Sequence, residues 1–275
     1  MYDYSRLSIN QATLREQCSL ADLIPLLDRH TIHGMAVWRD KLHECGVARG
    51  ARLLRDHNIT VTGYCVGGLL SFVDSADFEK AIDDNRQIIE EAAEIGTRCI
   101  VFLAGGLQAG SKDIVAARER ALEGLALLIP DARAAGVLLA LEPLHPMVCA
   151  SRSVVTTMKI ANDWCDRLQA PDVVGIAVDT YNVWWDPELA HEVARAGQRI
   201  CAFHVADWLL DTKDLRLDRG MPGDGVIDIP GIREMVEAAG YDGYSEVEIF
   251  SRDNWWRREP EEVIKVIKAR YQTAI

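Results

Sequence analysis

The stretch GIAVDTYNVWWDP runs from Gly175 to Pro187. It begins as an apolar, β-rich run and ends on a carboxylate, Asp179, before two tryptophans lead into Asp186-Pro187. One acid at a strand tip is weak evidence, because loop caps and ion pairs use such residues routinely. The rest of the chain gives it weight. Comparable runs occur at RLSIN (6–10), GMAVW (34–38), ITVTGYC (59–65), RCIVFLA (98–104), VLLALEP (137–143), VVGIAVD (173–179), ICAFHVAD (200–207) and YSEVEIF (244–250). Longer segments with helical period lie between them, for example 76–96, 111–136 and 228–240. Gly96, Gly136, Gly197 and Gly240 each stand near a helix end just before a strand, where a C-cap favours glycine. Strand alternating with helix predicts parallel pairing. Eight such units in 275 residues predict a (β/α)8 TIM barrel, with 1–275 as one domain. The runner-up, a doubly wound sheet with a dinucleotide site, calls for G-x-G-x-x-G after the first strand, and that region reads SINQATLREQ.

Composition narrows the class of function. About half the residues are apolar and a quarter charged, and the formal net charge is −12. An acidic chain is a poor electrostatic match for nucleic acid or an anionic membrane face. The seven cysteines form no C-x-x-C pair, which argues for reduced thiols in a cytoplasmic setting and against a disulfide framework or structural zinc. MYDYSRLSIN has no basic region followed by an apolar core, so no signal peptide is expected. No apolar run approaches the ~20 residues of a membrane span.

In a barrel, chemistry sits at the C-terminal strand ends. The fifth run ends at Glu142, the sixth at Asp179, the seventh carries His204, and the eighth carries Glu246 and Glu248. Period two places Ala177 and Gly175 on the Asp179 face, Ala202 and Ala206 on the His204 face, and Val247 and Ile249 opposite the two glutamates. Four adjacent strands therefore aim acids and an imidazole at one volume, where unpaired charge is costly to bury. A divalent cation removes most of that cost. Glu142, Asp179, His204 and Glu248 make a mostly hard ligand set that favours Mn²⁺ or Mg²⁺ and admits Co²⁺ or Zn²⁺. Glu246 lies one layer deeper, behind the metal, where a salt bridge to a basic residue is its plain structural use.

The motifs LEPLHP, VDTYNVWWDP, FHVADW, DRGMPGDGVIDIPGI and GYDGYSEVEIF resemble the sugar phosphate isomerase/epimerase family of xylose-isomerase-like TIM barrels, over nearly the whole chain. The resemblance implies one divalent metal on Glu142, Asp179, His204 and Glu248. It also shows two departures. Many relatives carry a substrate-binding His three residues after the metal-binding Asp; here that position is Asn182, which can bond a hydroxyl but carries no proton near neutral pH. The Arg that several epimerases place shortly after the metal-binding His is missing, with Leu209 and Leu210 in that region, and Arg219 is the candidate replacement. Both departures weigh against a ketose 3-epimerase.

The implied reaction is proton transfer next to a metal-bound carbonyl, through an enediolate, with Glu142 and Glu248 removing and returning the proton. Return to the opposite face is epimerisation; return to the neighbouring carbon is isomerisation. A lyase or decarboxylase on a keto-sugar or keto-sugar acid is the alternative use of the same site. A multi-zinc endonuclease needs more His ligands and a basic groove. His145, Trp38 and Trp185 are further substrate-contact candidates, each equally serviceable as loop or rim packing. Cys65 reads as a small apolar group, Trp255 and Trp256 as lid or subunit contacts, and the long segment from Asp207 to Asp228 as a lid. No P-loop or Arg cluster demands a phosphate. The expected partner is a small carbohydrate; assembly into homo-oligomers stays open.

Overall fold

A computed structural model of the chain describes residues 3–72, 74 and 77–275. Its barrel strands are β1 (Leu7–Asn10), β2 (Gly34–Trp38), β3 (Thr60–Gly68), β4 (Cys99–Leu103), β5 (Leu138–Leu141), β6 (Val174–Asp179), β7 (Ile200–Val205) and β8 (Ser245–Val247). They close in the order β1-β8-β7-β6-β5-β4-β3-β2, and every neighbouring pair is parallel. This is the expected (β/α)8 TIM barrel.

The closure follows from the alternation along each strand. Leu7 and Ile9, Leu139 and Leu141, Ile176 and Val178, Phe203 and Val205, and Val247 all belong to the layer packed against the helices. The opposite faces turn inward and are small low in the barrel, where Cys99, Ala140, Ala177 and Ala202 form their own buried cluster. Small side chains there let the strands converge; the larger polar residues sit further along the same faces.

The helices obey local rules. Ile114–Ala135 starts at Asp113, whose side chain accepts from the Ala116 amide, and it buries Ala117, Ala121, Leu125, Leu128 and Ala132 on one stripe. It ends at Gly136 in the left-handed region (φ 69°), where a side chain would be strained. The expected helices at 76–96 and 228–240 are observed as Phe78–Glu94 and Ile229–Ala238; Ala76 lies outside the described residues.

Two strand ends are shorter than the sequence suggests, for a common reason. β7 stops at Val205 because Asp207–Trp208 pairs instead with Arg219–Gly220 in a two-stranded antiparallel ribbon. The run after β8 leaves the barrel because the Phe250 carbonyl accepts from the Arg219 amide and Ser251 bridges Asp218. The loop after β7 thus captures the end of the eighth run. Trp255 is buried in the short turn Trp255–Arg257, and Trp256 donates its Nε1–H to the Ala12 carbonyl, so this pair seals the rim beside β1 rather than forming a lid. All seven cysteines are free. Among the described residues, no helix is long and apolar enough to cross a membrane.

Candidate metal centre

Each acid is positioned by the ladder it terminates. Glu142 follows β5 and donates its amide to the Phe102 carbonyl; Glu248 follows β8 and donates its amide to Val205. Asp179 is the last residue of β6 and pairs in register with His204, which pairs in turn with Glu246. All five residues are buried, none more than 6% exposed. Glu142, His204 and Glu248 each offer a ligand atom within 4.8 Å of the others. His204 Nδ1 lies 3.1 Å from Glu142 Oε1.

Asp179 stands beside this triad rather than in it. Its Oδ1 accepts from the Tyr181 amide at 3.0 Å, and its Oδ2 from Asn182 Nδ2 at 2.6 Å. The same Oδ2 accepts from an Arg219 nitrogen at 3.0 Å, and that nitrogen also donates to Glu248 Oε2 at 3.1 Å and to the Glu248 carbonyl at 3.2 Å. Arg219 is itself buried, with its guanidinium 4.4 Å from the Tyr181 ring centre. Glu246 is held by more than the expected ion pair. The basic residue that meets it is His204, at ion-pair distance, while Asn10 Nδ2 donates to its Oε1 at 2.7 Å and the Thr62 hydroxyl to its Oε2 at 2.6 Å. His204 Nε2 approaches that Oε1 only to 3.5 Å and has no hydrogen-bond partner.

The electrostatics are those of a crowded acidic site. Burial pushes the Glu248 carboxyl up to about 8, with Glu142 and Asp179 adding to the rise against Arg219 and His204. Burial also raises Asp179, against the attraction of Arg219. Burial alone would lower His204, but the charges of Glu246 and Glu142 hold it well above the usual imidazole range. A group of carboxylates forced upward in this way, around an imidazole, fits a cation.

The loop that carries Arg219 is organised by Asp207, which the sequence did not mark. Its buried carboxylate accepts four backbone amides: Trp208 and Ile227 at Oδ1, Gly223 and Gly225 at Oδ2, all between 2.8 and 3.0 Å. Gly225 is required there, because a Cβ would stand 2.1 Å from the Trp208 carbonyl oxygen. Charge-assisted bonds of this kind are the strong ones. Asp207→Ala strands several buried amides and is expected to cost roughly 2–4 kcal/mol. Equilibrium urea unfolding measures it; a change below about 0.5 kcal/mol, the size of an ordinary surface substitution, would show that the loop does not depend on Asp207.

The site opens into a cavity of about 520 Å³, part of it continuous with solvent, lined by Trp38, Glu142, Asn182, Arg219, Glu248 and Phe250 among others. Trp38, Asn182 and Arg219 thus border one cavity with Glu142 and Glu248. Trp38 is fixed by its Nε1–H to Asn10 Oδ1 and by an edge contact with Phe250. The Asn182 amide is committed on both sides, donating to Asp179 and accepting from the His145 backbone. His145 and Trp185 do not line the cavity; the His145 ring packs 4.9 Å from Trp208 and 5.7 Å from Trp185. Cys65 is buried beneath, with Asn10 Nδ2 3.8 Å from its sulfur. Arg152 and Arg216, which the sequence analysis passed over, also line the cavity.

Comparison with known proteins agrees with the fold. A crystal structure of a protein from Sinorhizobium meliloti 1021 is 50% identical, covers 99% of both chains and superposes with a TM-score of 0.96. An inosose isomerase of Bacillus velezensis is 24% identical over 278 residues, 96% of this chain and 94% of that one. A crystal structure of the IOLI protein with a binding zinc atom is 19% identical over 96% of this chain and 95% of that one, with a TM-score of 0.81. The sequence profile of the xylose isomerase-like TIM barrel matches residues 29–270, and the chain belongs to that family.

Proposed function

We propose that the protein is a divalent-metal-dependent isomerase or epimerase of a sugar or keto-polyol. The observation that carries this reading is that Glu142, His204 and Glu248 bring ligand atoms within 4.8 Å of one another, with Glu142 and Glu248 lining the cavity. Its similarity to an inosose isomerase, an enzyme named for a polyol ketone, supports the substrate class. The zinc in the IOLI structure supports a metal in this fold, and the hard donor set here favours Mn²⁺.

Glu142, His204 and Glu248 would hold the ion, with Asp179 as a fourth ligand once its Oδ2 is shared away from Arg219. When bound, the ion supplies Lewis acidity toward the ketone oxygen. Glu142 and Glu248 reach the site from β5 and β8, on different sides, so one takes the proton from the carbon next to the ketone and the other returns one. Arg219 holds Glu248 in place and gives its remaining N–H groups to substrate oxygens. Trp38 and Phe250 wall the cavity and exclude water from the carbon that exchanges. Localisation in the cytoplasm and a single domain over 1–275 complete the reading.

The test is isotope exchange. Keto-sugars and inososes are incubated with the enzyme in D₂O, and deuterium is sought by NMR at the carbon next to the ketone. Label in the product supports the reading. A converted substrate whose α C–H stays intact, with no kinetic isotope effect there, removes it and leaves a lyase or decarboxylase.

A further inference from the structure

The cavity above the three ligand residues is lined on its outer side by two guanidiniums, Arg152 and Arg216. They come from different loops, after β5 and after β7. Arg152 follows β5, in a segment fastened to the loop after β4: its amide donates to Val148, Val154 donates to Gly105, and Ser153 bridges Gly105. Gly106 lies so close beneath that a Cβ would stand 2.3 Å from the Ala150 carbonyl oxygen. Arg216 belongs to the loop after β7. Its own amide and that of Leu217 donate to Asp214 Oδ1, and the Tyr181 hydroxyl donates to the Leu215 carbonyl. Both backbones are thus fixed.

The side chains are not satisfied within the chain. Among the described residues, neither guanidinium has an ion-pair or hydrogen-bond partner; Arg216 only borders the Phe250 ring, at 6.0 Å, and the Asp214 carboxylate pairs with Arg252 instead. The chain has 42 acidic and 30 basic residues, so the missing partners do not reflect a shortage of carboxylates. Arg152 is half-buried, and burial with the like charges of Arg216 and Arg219 outweighs the attraction of Glu142 and Glu248 and holds its guanidinium below the usual value. Two cations on one cavity wall, neither in direct contact with a carboxylate, repel each other. A bound anion removes both penalties, and guanidiniums match the planar oxygen pairs of carboxylate or phosphate.

We infer that Arg152 and Arg216 form an anion subsite, so that the substrate is a keto-sugar or keto-polyol carrying a carboxylate or phosphate on the end remote from Glu142 and Glu248. The sequence held no arginine cluster that demands a phosphate, because these two residues are 64 positions apart and border one cavity only in the folded barrel. The inference rests on the proposed reading for its ketone, and on the cavity alone for its charge.

Binding separates the two. The purified protein is titrated by calorimetry with D-fructose, D-fructuronate and D-fructose 6-phosphate, as wild type and as the Arg152→Gln/Arg216→Gln double variant. At least one of the anions is expected to bind wild type about tenfold or more tightly than fructose. That preference should vanish in the double variant while fructose affinity is unchanged, and its strength should fall as salt rises. Whichever anion is preferred tells carboxylate from phosphate. Equal affinity for all three, no binding of either anion, or a preference that survives the double substitution overturns the subsite. Anion preference without isotope exchange at any ketone would leave the subsite standing and remove the isomerase reading.

Discussion

Glu142→Gln and Glu248→Gln should each lower turnover by about 10²–10⁴-fold, the usual contribution of a positioned acid or base. The affinity for a keto-sugar should change far less. Gln is close in shape to Glu and keeps an oxygen that can face a cation or accept a hydrogen bond, but it cannot take a proton. In Glu248→Gln the retained oxygen can still accept from Arg219, so the bridge to Asp179 has a route to survive. In Glu142→Gln the contact with His204 Nδ1 likewise persists through oxygen. An effect confined to kcat therefore reports lost proton transfer, whereas a parallel loss of binding reports damage to the site. The two variants also distinguish the roles. If one residue removes the proton and the other returns it, deuterium exchange into recovered substrate survives in the variant that lacks the returning group and disappears in the other. Retention of near wild-type turnover by either variant would take that carboxylate out of the mechanism.

Much of this site was legible because barrel strands translate sequence position into depth. Asp179, His204 and Glu248 stand on faces whose earlier members are Ala177, Ala202 and Glu246, and period two alone turned them inward. The partners of those residues were less legible. Glu246 has the expected basic neighbour in His204, but its hydrogen bonds come from Asn10 and Thr62, 236 and 184 positions away, which the sequence could not show. Asp207 looked like one more loop acid, yet it accepts four amides and fixes the segment bearing Arg219. The repeated Gly of MPGDGV was the available signal, because closely spaced glycines mark a backbone that must approach something. His145 was a substrate-contact candidate that a loop position explains equally well. The structure turns its ring into a cluster with Trp208 and Trp185, which position alone could not reveal.

Removal of the metal should be the largest perturbation of all, and His204 is the residue that tests it. An ion that binds only the folded chain stabilises it by about 2.7–4.1 kcal/mol when present at 100 to 1,000 times its Kd. For a chain of this size that corresponds to roughly 5–16 °C in Tm, lost on chelation together with all activity. His204→Ala deletes the one imidazole of the triad and should reproduce the chelated state, with no stoichiometric metal by elemental analysis and no further drop in Tm on adding EDTA. That last comparison matters, because the Ala substitution also opens a cavity whose cost is independent of any ion. Glu246→Gln should behave differently. Its side chain touches Asn10, Thr62 and, at 3.5 Å, His204 Nε2, so on the proposed reading it would orient a ligand without being one. Such outer contacts typically change metal affinity by about 10–100-fold, which saturating metal restores. The order His204→Ala, then Glu248→Gln, then Glu246→Gln in severity of metal loss is thus expected. If Glu246→Gln loses its metal while Glu248→Gln retains it, the two glutamates have exchanged roles. If the wild-type protein holds no divalent ion and works fully in EDTA, the charge balance of the site belongs to Arg219 and His204 alone.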